Sequence, residues 1–264
     1  MTDSSSMKDF TISIYKILLQ NLLKGGYSFL SYNQFINTSG KPVIVLRHDV
    51  DALPENSLLF AKIQQSLGIS GTYYFRIAPK SFNETIIKEI AAMGNEIGYH
   101  YENMDTSDGN VDKAYEEFCR NLEMFRKIVP VETACMHGSP LSKFDNRTIW
   151  EKYDYHSLGI KAEPYFDLDF NKTFYITDTG RRWDGGKVSI RDKAMASNSV
   201  INPDFLRRKY RTTFDIINAV EQDDFSEQVM MTFHPQRWSD NKILWLKELI
   251  VQNLKNQVKK FLVK

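Results

Sequence analysis

The sequence predicts an α/β fold, a parallel (β/α) barrel, and three observations carry that expectation. Apolar runs of strand length alternate with segments of helical period along the whole chain, the pattern of βα units around a parallel sheet. No linker, repeat or low-complexity tract divides the 264 residues, and about 250 residues is the usual size of a barrel, which favours it over an open doubly wound sheet. Several apolar runs end in a histidine or an aspartate, and such folds place their polar chemistry at the carboxyl ends of strands. A single domain over residues 1–264 follows.

Residues 7–24 read as an amphipathic helix with Phe10, Ile14, Ile17, Leu18 and Leu22 on one stripe, stopped by Gly25 and Gly26. The first strand is the β-branched run at 43–48. Pro54 and Glu55 open a helix that Gly68 ends. An aromatic strand follows at 71–77, then a helix over 84–93 with Asn83 as its cap and Gly94 as its stop. Residues 95–102 form a short strand, and Tyr115, Phe118, Leu122 and Phe125 mark a helix over 111–128. A strand over 131–136 precedes His137, and 145–152 reads as a short helix.

The segment 158–190 is less regular. It holds a strand over 173–177 ending at Asp178, a loop through Arg181–Gly186 and a short strand at Lys187–Ile190. Pro203 opens another helix, and 229–233 is the last buried strand, ending at His234. Ser239 is expected to cap a long terminal helix with Ile243, Leu246, Ile250, Leu254 and Val258 facing inward. Lys255, Lys259 and Lys260 suit the end of its dipole, and that basic end reads as a solvated face in preference to a membrane contact.

Bulk properties narrow the function classes. The chain is 42% hydrophobic and 25% charged with a net charge of +1, so nothing steers it toward nucleic acid. No glycine-rich phosphate loop follows a strand. Cys119 and Cys135 read as reduced core residues. No secretory signal and no run long enough to span a membrane is visible, so a cytoplasmic location is expected.

The chemistry gathers around Val43–Asp51. Asp49 and Asp51 are two apart, so in extended chain both carboxylates project from one face, together with Arg47. Two adjacent carboxylates need a cation or a shared proton, although an Asp-rich turn before Pro54 would have the same spelling. Four of the five histidines, His48, His100, His137 and His234, close apolar runs, and Asp178 holds the same place. In a barrel those ends share one rim. Carboxylate and imidazole without thiolate suit a borderline divalent cation such as zinc. Asp51 and His100 are the first ligand candidates, Asp49 a base toward water, and His234 a general acid.

These stretches also match a family. Arg-His-Asp-Val-Asp at 47–51, Gly-Asn-Glu-Ile-Gly-Tyr-His at 94–100, Met-His-Gly-Ser-Pro at 136–140, Asp-Thr-Gly-Arg-Arg-Trp at 178–183 and Thr-Phe-His-Pro at 232–235 resemble, in order, the motifs of the NodB-type polysaccharide deacetylases. The resemblance covers residues 43–237, roughly three quarters of the chain, and is nearest to a divergent subgroup met in surface-polysaccharide gene clusters. It implies a distorted (β/α) barrel and a divalent metal, most simply zinc. The activity implied is hydrolytic removal of an N-acetyl group from a sugar or polysaccharide precursor. By the same resemblance Asp49 is the base, Asp51 and His100 are metal ligands, and His234 protonates the leaving amine. Trp183, Arg182, Asp178 and Tyr101 are expected at the substrate.

Three departures mark this chain. Met104 stands where the family has a second histidine ligand, and a thioether suits such a cation poorly. The third ligand then comes from Glu102, Asp105 or His137; His137 is favoured because it preserves the ligand type. The third motif lacks the arginine that pairs with the base, for which Arg47 or Arg182 could substitute. The fourth motif follows Asp178 with two arginines. Rival readings are hydrolysis of another non-peptide C–N bond and a non-catalytic glycan-binding relative.

Overall fold

In the computed structural model, residues 7–38, 40–138, 142–184 and 203–262 are described. The strand expected at Lys187–Ile190 lies outside them, as do Ser139 and Pro140 of the third motif. Seven strands, β1 (Ser28–Leu30), β2 (Val43–Val50), β3 (Thr72–Phe75), β4 (Glu96–Tyr101), β5 (Ala134–Met136), β6 (Phe174–Thr177) and β7 (Gln228–Phe233), make one sheet. Its path is β5-β4-β3-β2-β7-β6, and every pairing is parallel. Short β1 pairs with Val43–Val45 of β2, and β3 takes over the same edge from Arg47 onward. Among the described residues β5 and β6 do not pair, so the sheet is a distorted, incomplete (β/α) barrel with helices around it. All carboxyl ends share one rim.

Strand parity sorts the interior from the helix side. β2 is buried at all eight positions, as a strand covered on both faces must be. Ile44, Leu46, His48 and Val50 face the helices, where Ile44, Leu46 and Val50 join the main core with Leu18, Leu22, Phe60, Ile87 and Phe118. Val45 faces the other way, into a smaller cluster with Tyr32, Ala162, Leu168 and Met230. Arg47 and Asp49 follow Val45 by parity, so the barrel interior is apolar at its base and charged toward the rim.

Most local signals act where the sequence puts them. Pro54 opens the helix Pro54–Ser66, Asn83 Oδ1 accepts from Ile86 N, and Gly94 turns the chain at φ 83°. The first helix is shorter than expected, Ile12–Lys24, because Thr11 supplies the cap by accepting from Ile14 N. Its Leu18, Leu19 and Leu22 are fully buried, contributing about 1.5–3 kcal/mol each. Strand β1 and the one-turn helix Tyr32–Phe35 were not expected at all.

Two expectations are corrected. The terminal helix runs Lys242–Leu262 and is capped by Asn241, whose Oδ1 accepts from Ile243 N and Leu244 N, with Ser239 bonded one step earlier. Its apolar stripe faces outward: Ile243, Leu246, Ile250, Leu254 and Val258 are all exposed. The docked face is instead held by Trp245, whose Nε1 donates to Asp9 O at 2.7 Å, and by buried Gln252.

His48 is the second correction. It does not join the rim, because one step along β2 turns its ring to the helix side. There it stacks on Tyr73 at 4.1 Å with its Nδ1 3.0 Å from Thr72 O. Its Nε2 meets Tyr15 Oη and Gln64 Nε2, each at 3.1 Å. Burial lowers its pKa to about 3 from 6.5, outweighing the Thr72 carbonyl and nearby carboxylates. The unfolded chain therefore binds the extra proton first as pH falls. The stability from this ring is present above its unfolded pKa and is lost toward its folded one. Urea midpoints should show wild type losing about 2 kcal/mol more than His48→Asn between about pH 7 and pH 5. Equal losses would place the ring in water.

Candidate metal centre

Three strand ends build the site. His100 lies in β4 on the face of Gly98, and the register carries that face to Tyr74 and Asp49 on one side and Cys135 on the other. Gly98 is required here, since a Cβ at that position would collide with the Tyr74 ring. Asp51 follows β2, and His137 follows β5 with its backbone N–H donated to Tyr101 O at 2.7 Å.

The three side chains converge. Asp51 Oδ1 lies 3.6 Å from His100 Nε2 and 3.5 Å from His137 Nε2. That oxygen is shielded from water and has no hydrogen-bond partner, while Oδ2 accepts from Gln236 Nε2 at 3.1 Å. His100 Nδ1 faces Cys135 O at 2.9 Å, which requires a proton on Nδ1 and directs the Nε2 lone pair at the carboxylate. A buried carboxylate oxygen facing two imidazole nitrogens calls for positive charge between them, either protons on the rings or a metal ion. Ligand atoms about 2.0–2.1 Å from a tetrahedral zinc stand about 3.4 Å apart, so the spacing fits such an ion. Burial alone would raise the pKa of Asp51, but the His100, His137 and His234 rings beside it hold it well below the usual carboxylate range.

Behind the ligands is a brace. His137 Nδ1 lies 3.1 Å from Glu102 Oε2. Arg76 holds that carboxylate through Nε at 3.0 Å and Nη2 at 2.6 Å, and its Nη1 donates to Asp51 O at 3.3 Å. Glu102 is thus turned to His137 and Arg76. Asp105 is engaged by Ser142 and Asn146, and Met104 is packed in the core. Of the three possible companions to Asp51 and His100, His137 is the one brought to them.

Asp49 lies beside this cluster, its Oδ2 3.8 Å from His100 Nε2. Arg47 grips both of its oxygens, Nε to Oδ1 at 2.8 Å and Nη2 to Oδ2 at 2.7 Å, and both residues are buried. Burial pushes the Asp49 carboxyl up, but Arg47 and then His100 pull it below its ordinary value. Asp49, His100 and Cys135 also lie within reach of one ion, but the Arg47 clamp leaves Asp49 poorly placed to ligate. At the end of β7, next to β2, His234 Nδ1 is 2.5 Å from Asp178 Oδ1, while Asp178 Oδ2 accepts from His234 N and Trp238 Nε1.

No family model matches the sequence, and no curated protein matches it. The solved structures similar to it include a deacetylase and a CE4 domain. One is the Streptococcus pyogenes deacetylase PplD in complex with acetate, at 14% identity and a TM-score of 0.44, covering 55% of this chain and 70% of that one. The other is the Xyl-CE4 domain of a multidomain xylanase from the hindgut metagenome of Trinervitermes trinervoides. It is 13% identical with a TM-score of 0.39, and the match covers 81% of this chain and 83% of that one.

Of the residues expected at the substrate, Trp183, Tyr101 and Asp178 are buried, and Arg182 is partly exposed. Trp183 is buried on the helix side, its Nε1 donating to Thr213 Oγ1 and its ring edge-on to Phe233 at 5.0 Å. Tyr101 has the opposite parity to His100 and is buried, with its hydroxyl against Glu163 and Trp150. Asp178 is wholly buried under His234. Arg182 pairs with Asp184, so it does not reach Asp49. Trp183, Arg182 and Asp178 were read from their place in a motif and Tyr101 as an aromatic beside one, and neither gives the direction of the side chain.

Sequence reasoning missed Arg76, whose strand run gave no hint of a partner 26 residues on, and Glu163. The latter is buried, accepts from Met136 N at 2.8 Å and Tyr165 N at 2.5 Å, and is pushed up to about 7 by burial despite those donors. Glu-Pro at 163–164 is a helix-start signal that marks it only as a cap.

Proposed function

We propose that this chain is a metal-dependent hydrolase that removes an N-acetyl group from an acetamido sugar or surface-polysaccharide precursor, as its five motifs imply. The observation that carries the reading is Asp51 Oδ1, shielded and without a hydrogen bond between two imidazole nitrogens. Asp51, His100 and His137 would hold the ion, with zinc the simplest fit to two nitrogens and one oxygen. A bound divalent ion supplies a Lewis acid toward the amide carbonyl and makes water acidic enough to react near neutral pH.

The remaining steps belong to side chains. Arg47 keeps Asp49 ionised, the form in which it can take a proton from water. Asp178 fixes Nδ1 of His234, so that Nε2 is the atom able to give a proton to the departing amine. A location in the cytoplasm belongs to the same proposal. No observation favours the rival use of Arg181 and Arg182 as an anion clamp: Arg181 lies over Phe10 and Trp245 at 5.0 and 4.9 Å, and Arg182 is paired with Asp184.

The test is acetate release by zinc-loaded protein from acetylated oligosaccharides and free acetamido sugars, beside a panel of small linear and cyclic amides. Release from the sugars is expected. One equivalent of tightly held metal with no acetate from any sugar would overturn the reading, and turnover of a small amide would replace it.

A further inference from the structure

The terminal helix Lys242–Leu262 presents two unlike faces. One docks on the body: Trp245 Nε1 bonds Asp9 O, Asn256 Nδ2 bonds Gly180 O at 3.1 Å, and Gln252 is buried, its Nε2 donating within the helix to Glu248 Oε1 at 2.6 Å. The other carries Ile243, Leu246, Ile250, Leu254 and Val258, which at helical spacing fall in an arc of about 120° opposite the docked residues, with Lys247 and Gln257 inside the same arc. Ile243 is 78% exposed and Leu254 63%. With Leu244, this one helix holds six of the eleven exposed large apolar side chains among the described residues, so they form a patch rather than a scatter. Such a stripe is about 22 Å long.

Charge indicates what covers it. The helix carries five lysines and one glutamate in a chain whose net charge is only +1. Lys242, Lys247 and Lys255 are exposed, whereas Glu248 is tied to Gln252 on the docked side. A second copy of the helix would oppose lysine to lysine with no acid to answer it. An apolar protein groove would cover the stripe but give the lysines beside it no counter-charge. A flat anionic surface asks only for the exposed arc and the lysines beside it.

We propose that this helix is a membrane-docking element that lies in the plane of an anionic lipid bilayer. No helix among the described residues is long and apolar enough to cross a membrane, so the contact is peripheral. The apolar stripe enters the headgroup boundary, the lysines meet anionic headgroups, and Trp245 and Gln252 keep the helix on the protein. The proposal does not depend on the reaction assigned to the metal centre.

The test is co-sedimentation of the whole chain with phosphatidylcholine vesicles, with and without phosphatidylserine, at low and high salt. Preferential binding to the anionic vesicles, weakened by salt, is expected. Ile250→Glu with Leu254→Glu should lower the partition coefficient about tenfold or more, and Lys247→Glu with Lys255→Glu should remove the anionic preference. These sites are exposed, so the melting temperature should hold in both variants. Absence of anionic binding, or binding unmoved by the apolar substitutions, overturns the proposal. So does a dimer in light scattering that the same substitutions dissolve, which would assign the stripe to a second copy, or capture of an acidic protein without vesicle binding.

Discussion

Asp51→Ala is expected to lower zinc affinity by at least about a hundredfold and to abolish acetate release, while the melting temperature of the metal-free protein stays within a few degrees of wild type. The carboxylate lies at the rim beyond β2, so its removal opens no cavity in either core cluster. It does remove the oxygen toward which both His100 and His137 point. Calorimetric titration of metal-free protein with zinc checks the first part without reference to any substrate. Asp51→Asn is the sharper variant, since it keeps the size and loses only the charge. A variant that bound zinc with unchanged affinity would exclude this carboxylate as a ligand.

Arg47→Met is expected to destabilise the fold by about 3–5 kcal/mol, the usual cost of leaving a buried charge without its partner. Both members of the pair are almost fully shielded, and Asp49 has no other cation bonded to it among the described residues. The Tyr165 ring, 5.2 Å from the guanidinium, would lose its cation contact as well. Adding Asp49→Leu should recover much of that loss, because two apolar groups of similar size can replace a buried ion pair at little cost. Denaturant midpoints of the two single variants and the double one measure the coupling. If Arg47→Met alone cost under about 1 kcal/mol, water would have to reach the pair.

The strands that matter were legible because an apolar run ending in polar residues is a local signal. β2, β4, β5 and β7 lie where it placed them, and their ends meet on one rim. Helix starts at Pro54 and Asn83 were legible for the same reason. The direction of each strand-end side chain was not: His48 and Asp49 are adjacent letters of one motif, yet one joins an aromatic stack and the other the barrel interior. Parity settles that only once the neighbouring strands are in register. In the terminal helix, periodicity gave the stripe but not the docked side. That side is chosen by hydrogen bonds from Trp245 and Asn256 to carbonyls at Asp9 and Gly180, contacts 236 and 76 residues apart in sequence. Arg76 and Glu163 were silent because their partners are distant in the chain.

One guanidinium, that of Arg76, reaches both the carbonyl of Asp51 and the carboxylate that backs His137. Two of the three residues that would surround an ion are therefore held near one post, Asp51 at its main-chain carbonyl and His137 through the neighbouring Glu102, and the third is pinned by the Cys135 carbonyl. A cage fixed in this way has little freedom to widen. Large ions that demand six to eight oxygens at longer range find neither the room nor the donors. In the proposed centre, ion discrimination would be set by the stiffness of the frame as much as by the ligands, and softening Arg76 would broaden the range of metals accepted before it weakened the binding of any one.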